Sequence, residues 1–115
     1  MVALVREKKK KKVYFASAAP AVKYPNVYGI DMPTRTELIA HNKDADAVSL
    51  AITADKVIYQ DLSALEAAVC SVSSGVLTAF DASCFNGEYI TGDIDMAYLD
   101  VLEQNRVKTV ETKSA

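Results

Sequence analysis

Val13-Tyr14-Phe15-Ala16 and Lys56-Val57-Ile58-Tyr59 decide the fold. Each is a short apolar run, rich in β-branched and aromatic residues, and reads as a buried strand. Helix starts lie between them. Thr34-Arg35-Thr36-Glu37 fits a capping box, in which the threonine hydroxyl and the glutamate carboxylate each satisfy a free amide. It predicts a short helix through about Ala40. Asp44 or Asp46 can cap another through about Ile52. Strands separated by helices pair in parallel, so the chain reads as α/β.

Before the strand pair, residues 2–7 look like the last turns of a helix, followed by the basic run Lys8 to Lys12. Pro20 and Pro25 keep the stretch after the first strand irregular or extended, because proline lacks the amide hydrogen and restricts its predecessor. Ser63-Ala64-Leu65-Glu66 is a second capping box, opening a helix to about Ser73, with Gly75 as its stop. Asn86-Gly87 suits a type I′ turn and predicts a β-hairpin between Ala82–Phe85 and Glu88–Thr91. Asp93 caps a final helix whose stripe is Ile94, Ala97, Tyr98, Val101 and Leu102. After about Asn105 the polar tail is expected to fray. The organisation is a basic segment (1–11), a partial domain (12–105) and a tail (106–115).

This order poses a physical problem. A parallel sheet needs cover on both faces and neighbours on both edges. Two strands do not meet that need, so the chain reads as part of an α/β domain with sheet edge or apolar surface left open.

The chain has 115 residues, 13 Lys+Arg and 15 Asp+Glu, a net charge of −2, 50% hydrophobic and 24% charged residues. That balance excludes wholesale disorder. The length favours one domain. No apolar run reaches the ~18 residues that cross a bilayer. Met1 to Val5 is apolar but precedes its charges, the reverse of a secretory signal, so a cytoplasmic location is expected. Cys70 and Cys84 are too few for a disulfide framework and are expected as free thiols. Residues 1–23 hold seven bases and one acid; the rest holds six bases and fourteen acids.

Five blocks carry a family resemblance: Lys12–Pro20 (KVYFASAAP), Tyr24–Pro33 (YPNVYGIDMP), Thr36–His41 (TELIAH), Ala54–Leu62 (ADKVIYQDL) and Cys84–Asp93 (CFNGEYITGD). In this collinear order, over about residues 12–104, the chain resembles amidophosphoribosyltransferase (glutamine phosphoribosylpyrophosphate amidotransferase). That family transfers ammonia from glutamine to phosphoribosyl pyrophosphate, the committing step of purine synthesis. It joins an N-terminal glutaminase domain, with an N-terminal cysteine nucleophile, to a phosphoribosyltransferase domain. The resemblance covers the C-terminal part of the second domain. It implies an incomplete phosphoribosyltransferase-like parallel sheet with flanking helices, the hairpin and the last helix.

Val2 follows Met1, and neither the acidic pair nor the Gly-Thr-Thr turn of the family's phosphoribosyl pyrophosphate loop occurs. The resemblance therefore implies a piece inactive alone, with no catalytic residue. The alternative is a free-standing nucleotide-binding or protein-interaction module. Two departures from the family stand out: Lys8 to Lys12 replaces a Gly-containing helix end, and Thr53 replaces a glycine before Ala-Asp.

The resemblance sets Tyr24–Pro33 beside the nucleotide and ribophosphate site, after a strand's C-terminal end, where α/β folds place ligands. Its candidates are Ser17 as a phosphate donor, Tyr28 packed on a base, Asp31 as an acceptor, and Pro33. The competing reading is a rigid loop with Tyr28 as a core plug. One branch of the family binds an iron–sulfur cluster; here Cys84 matches one ligand, while Asp81 and Asn26 stand at two others. A cluster normally takes four thiolates, so none is expected. Mg is expected for the full-length family and no cofactor for this chain.

The lysine run has no aromatic interleaving, so nucleic acid is not an expected partner. His41, the sole histidine, reads as a surface residue at a helix end. Asp44, Asp46, Asp93 and Asp95 read as caps rather than metal ligands. The expected partners are a purine nucleotide or phosphoribosyl pyrophosphate, a second copy, or a full-length enzyme; no membrane is expected.

Overall fold

The structure is a computed structural model that describes residues 12–29 and 32–113, with the backbone alone for 107–113. The expected helix remnant at 2–7, Lys8 to Lys11 and the candidate Asp31 lie outside the described residues.

Strands β1 (Tyr14–Ala16) and β2 (Lys56–Ile58) pair in parallel, with Tyr14 opposite Lys56, Phe15 opposite Val57 and Ala16 opposite Ile58. The pairing extends at both ends. Asp55 N–H donates to the Val13 carbonyl and Ser17 N–H to the Ile58 carbonyl, each at 2.8 Å. The Asp55 carboxylate also accepts from Val13 N–H at 2.6 Å.

Helix α1 (Ala45–Ala51) joins the strands, and the Asp44 carboxylate caps it by accepting from Ala47 N–H at 2.8 Å. Before α1, the expected short helix is a single 3-10 turn, Arg35–Glu37, whose Glu37 carboxylate accepts from Thr34 N–H at 2.9 Å. Helix α2 (Leu62–Val72) follows β2. Its cap is Asp61 rather than Ser63: the carboxylate accepts from Ala64 N–H at 2.9 Å and from the Ser63 hydroxyl at 2.6 Å. An ionised carboxylate is the stronger acceptor and wins the position.

The core is Ala40, Val48, Ala54 and Val57, with Ala21, Ile52 and Tyr59 packed against it. The two strands are not the buried runs their composition predicts. Val57 is 3% exposed, whereas Tyr14 is 60% and Ile58 47% exposed. The register explains this. Side chains alternate across a strand, so Phe15 and Val57 share one face while Tyr14, Ala16, Lys56 and Ile58 share the other. Helix α1 packs on β2 from the Val57 side. All four residues of the opposite face are exposed.

Ser49, itself buried, ties α1 to β2. Its hydroxyl donates to the Ala45 carbonyl and accepts from Val57 N–H, each at 2.8 Å. Val57 N–H is thereby satisfied without another strand.

The predicted hairpin at Asn86-Gly87 is absent. Ser83–Asn86 forms helix α3, and Gly87, at φ +80°, closes it in the left-handed conformation. Gly87 N–H reaches the Ser83 carbonyl at 2.9 Å, and the Asn86 side chain accepts from Glu88 N–H at 2.9 Å. Asn-Gly suits a helix end as well as a tight hairpin turn. Burial of Ala82 and Ser83 side by side favours the helix, since alternate burial is what a half-buried strand requires.

Helix α4 (Met96–Lys113) is capped by Asp95, which accepts from Tyr98 N–H at 2.8 Å, rather than by Asp93. It continues past Asn105, where the sequence reading has it fray. The helix buries Leu99 and leaves Ala97, Tyr98, Val101 and Leu102 of the expected stripe exposed. The radius of gyration is 17.5 Å, well above the ~13 Å of a compact domain this long. The elements therefore do not close around one core.

Thr53, between α1 and β2, has φ +59°. A β-branched residue in the left-handed region is strained by about 1–2 kcal/mol. We expect Thr53→Gly to raise the unfolding free energy by ~1 kcal/mol in urea titrations. We expect Ser49→Ala to lower it by ~1–3 kcal/mol, because Val57 N–H loses its buried acceptor.

Candidate functional site

The segment after β1 is held by ties to one distant stretch of the chain, 81–89. Lys23 and Tyr24 N–H groups both donate to the Cys84 carbonyl, at 2.9 and 3.1 Å. The Tyr89 hydroxyl donates to the Pro25 carbonyl at 2.5 Å. Asn26 donates through its amide to Asp81 at 2.8 Å and to the Ser83 hydroxyl at 3.0 Å, while its own carbonyl oxygen accepts from Tyr28 N–H at 2.8 Å. The Tyr24 ring lies close against Gly87, where a Cβ would stand a tight 3.2 Å from it.

The C-terminal half of the segment is tied to α4. Arg106 donates to the Met32 carbonyl at 2.6 Å. Arg35, 11% exposed in its side chain, donates to Glu103 through its backbone N–H at 2.7 Å and through Nε at 3.1 Å, and also pairs with Asp100. Burial alone would push the Glu103 carboxyl up, but hydrogen bonds from Arg35 and its charge prevail and hold it below the usual carboxylate range. Hydrogen bonds to Glu103 and then Asp100 raise Arg35.

An open cleft of about 540 Å³ lies between the loop and α4, with Pro25, Met32, Pro33, Tyr98, Leu102 and Arg106 among its walls. Pro33 is therefore at the cleft. Ser17 and Tyr28 do not line it. The Ser17 hydroxyl turns back on its own segment, donating to the Ala19 carbonyl at 2.9 Å. The Tyr28 ring meets Tyr89 edge-on at 5.5 Å, and its hydroxyl lies 3.0 Å from that of Thr91. Asp31 lies outside the described residues.

Asn26, Asp81 and Cys84, widely separated in sequence, come together here. Burial and then the Asp81 carboxylate push the Cys84 thiol up, keeping it protonated. One protonated thiol beside an amide–carboxylate hydrogen bond does not fit an iron–sulfur cluster. Among the described residues no group of three or more His, Cys, Asp or Glu could hold a metal ion. His41 Nδ1 lies 3.1 Å from the Lys23 carbonyl oxygen. Among the described residues no helix is long and apolar enough to cross a membrane.

Sequence reasoning missed Arg35, Glu103 and Arg106. Asp100 and Glu103 are three apart on a helix, so their shared face was readable. Their partner is 68 residues away from Glu103 and gives no local signal.

Taken together, these features define a partial α/β unit: a parallel strand pair, a helix on one face, and a polar-tied loop at the strands' C-terminal end. No family model matches the chain. It is 49% identical to the amidophosphoribosyltransferase of Pseudomonas aeruginosa, over 99% of this chain and 23% of that protein. With the Haemophilus influenzae amidophosphoribosyltransferase it shares 47% identity over 98% of this chain and 22% of the relative. With that of Escherichia coli it shares 48% over 92% and 21%. The chain belongs with the amidophosphoribosyltransferases over the segment they share, and spans under a quarter of the curated relatives' length.

The Arg35 cluster sets a pH dependence. Glu103 is depressed in the folded chain, so its stabilisation is full above the ordinary value of 4.5 and is lost as pH falls through its lower folded value. We expect Arg35→Gln to cost ~1–3 kcal/mol at pH 7. The difference from wild type should narrow on acidification well below 4.5, read by urea denaturation at each pH.

Proposed function

We propose that this chain is the C-terminal part of an amidophosphoribosyltransferase's phosphoribosyltransferase domain and carries no ammonia-transfer activity by itself. The observation behind this reading is 49% identity along 99% of the chain, set against 23% of the relative's length. Its parallel strand pair is consistent with a phosphoribosyltransferase sheet. In a whole enzyme, Tyr24–Pro33 would form one wall of the nucleotide or ribophosphate site. Asp31 would accept from a hydroxyl or base, Ser17 would exchange its Ala19 bond for a phosphate oxygen, and Tyr28 and Pro33 would shape the wall. Mg would enter with the substrate in the complete enzyme, and a cytoplasmic location follows from purine synthesis.

The purified 115-residue chain is expected to form no phosphoribosylamine from phosphoribosyl pyrophosphate with glutamine or ammonia; turnover above a protein-free control would overturn the reading. The open cleft supports a second reading, a free-standing nucleotide-binding module. Calorimetric titration with GMP, AMP and phosphoribosyl pyrophosphate, repeated with Asp31→Ala, separates the two. Saturable heat abolished by the substitution would favour the module, and absence of heat the partial domain.

A further inference from the structure

We propose that α4 is a strap over the cleft, latched by Arg35 and able to lift away while the β1–α1–β2 unit stays folded. The core of that unit, Ala40, Val48, Ala54 and Val57, draws no residue from α4. Of the α4 residues whose side chains are described, Leu99 alone is buried. Helices in proteins draw most of their stability from the packing of one face, and one leucine is a small anchor for a helix of 18 residues.

Arg35 supplies a second anchor of different chemistry. Its Nε and Nη2 donate to the two oxygens of Glu103, each at 3.1 Å, and its backbone N–H donates to the same carboxylate at 2.7 Å. The guanidinium also pairs with Asp100, and Nη1 lies 3.9 Å from the Met96 sulfur. Met96, Asp100 and Glu103 stand at i, i+4 and i+7, so one side chain runs along about two turns of a single helix face. The planar fork matches a carboxylate in a way a point charge does not. Arg35 is itself held in place. The Glu37 carboxylate accepts from Thr34 N–H at 2.9 Å and from the Thr34 hydroxyl at 2.8 Å, which closes the 3-10 turn around it. Arg106 adds a bond to the Met32 carbonyl from the same helix.

Tyr98, Leu102 and Glu103 belong to the α4 wall of the cleft, and Met32 and Pro33 to the loop wall. The latch therefore joins the two walls. Release of Arg35 lets α4 swing out, widens the cleft and exposes Leu99. Segments joined by few apolar contacts open as separate units, below the free energy of global unfolding. Exposed Asp100 makes the latch open to screening by salt, whereas the apolar core around Val57 is not.

Amide exchange followed by mass spectrometry on the 115-residue chain tests this. In the unaltered chain, residues 96–106 should exchange faster than residues 48–58. Raising NaCl from ~0.05 to ~1 M should speed exchange at 96–106 roughly threefold and leave 48–58 within about twofold. Arg35→Gln should speed 96–106 about tenfold with 48–58 again unmoved, and Arg35→Lys, which keeps the charge without the fork, should fall between. Exchange that rises equally at 48–58 in either arm would make α4 part of one cooperative unit and overturn the proposal. So would an α4 indifferent to salt or to both substitutions. A variant that fails to fold loses protection everywhere and counts on that same side, while the salt response of the unaltered chain is read without any substitution.

Discussion

Two strands that bury one side chain between them set the terms for this molecule. Val57 meets Val48, Ala40 and Ala54 on the α1 side of the sheet, and this small cluster is what α1 and β2 close on. Parallel strands require helices on both faces because the crossover that joins them can cover only one. Here that crossover is α1. Its hydroxyl bridge from Ser49 to Val57 N–H links helix and strand beside the apolar contact. Ile58, as apolar as Val57, and the ring of Tyr14 stay exposed because no second layer among the described residues reaches them.

The rest of the chain is assembled differently. The Tyr24–Pro33 loop, α3 and α4 are joined by polar contacts: Tyr24 and Lys23 to Cys84, Tyr89 to Pro25, Asn26 to Asp81 and Ser83, Arg106 to Met32, and Arg35 to Glu103. Individual hydrogen bonds contribute about 1 kcal/mol net and demand defined geometry. Several acting together can position a loop, but they supply less cohesion than a continuous apolar layer. The large radius of gyration and the exposed Tyr98, Val101 and Leu102 on α4 are the same fact seen from outside.

Local chemistry was legible in the sequence wherever the determining atoms lie within a few residues. Asp44 caps α1, α2 ends at Val72 beside the expected Ser73, and the alternation of strand and helix implied parallel pairing, as observed. The same local rules missed where two structures share a signal. Asn86-Gly87 supplies a positive φ to a helix end as readily as to a hairpin, and Asp95 competes with Asp93 for one cap. Burial was the least legible property. The stripe on α4 has the right period for a core face, yet which face is covered depends on neighbours that period does not encode. Pro33 lines the cleft, whereas Ser17 and Tyr28 are engaged by Ala19 and by Tyr89 and Thr91, contacts their sequence context does not announce.

Asn26, Asp81 and Ser83 show how one position can be held by different chemistry. In the branch of the family that binds a cluster, the resemblance places cysteine ligands at the positions of Asn26, Asp81 and Cys84. In this chain the Asn26 amide bridges the same two segments by donating to Asp81 and Ser83. The Cys84 carbonyl, not its thiol, receives the loop's two amides. Such a junction depends on an acceptor oxygen at Asp81 and on Asn26 presenting its NH2 group. The loop's placement beside the cleft therefore rests in part on a side-chain amide and a carboxylate.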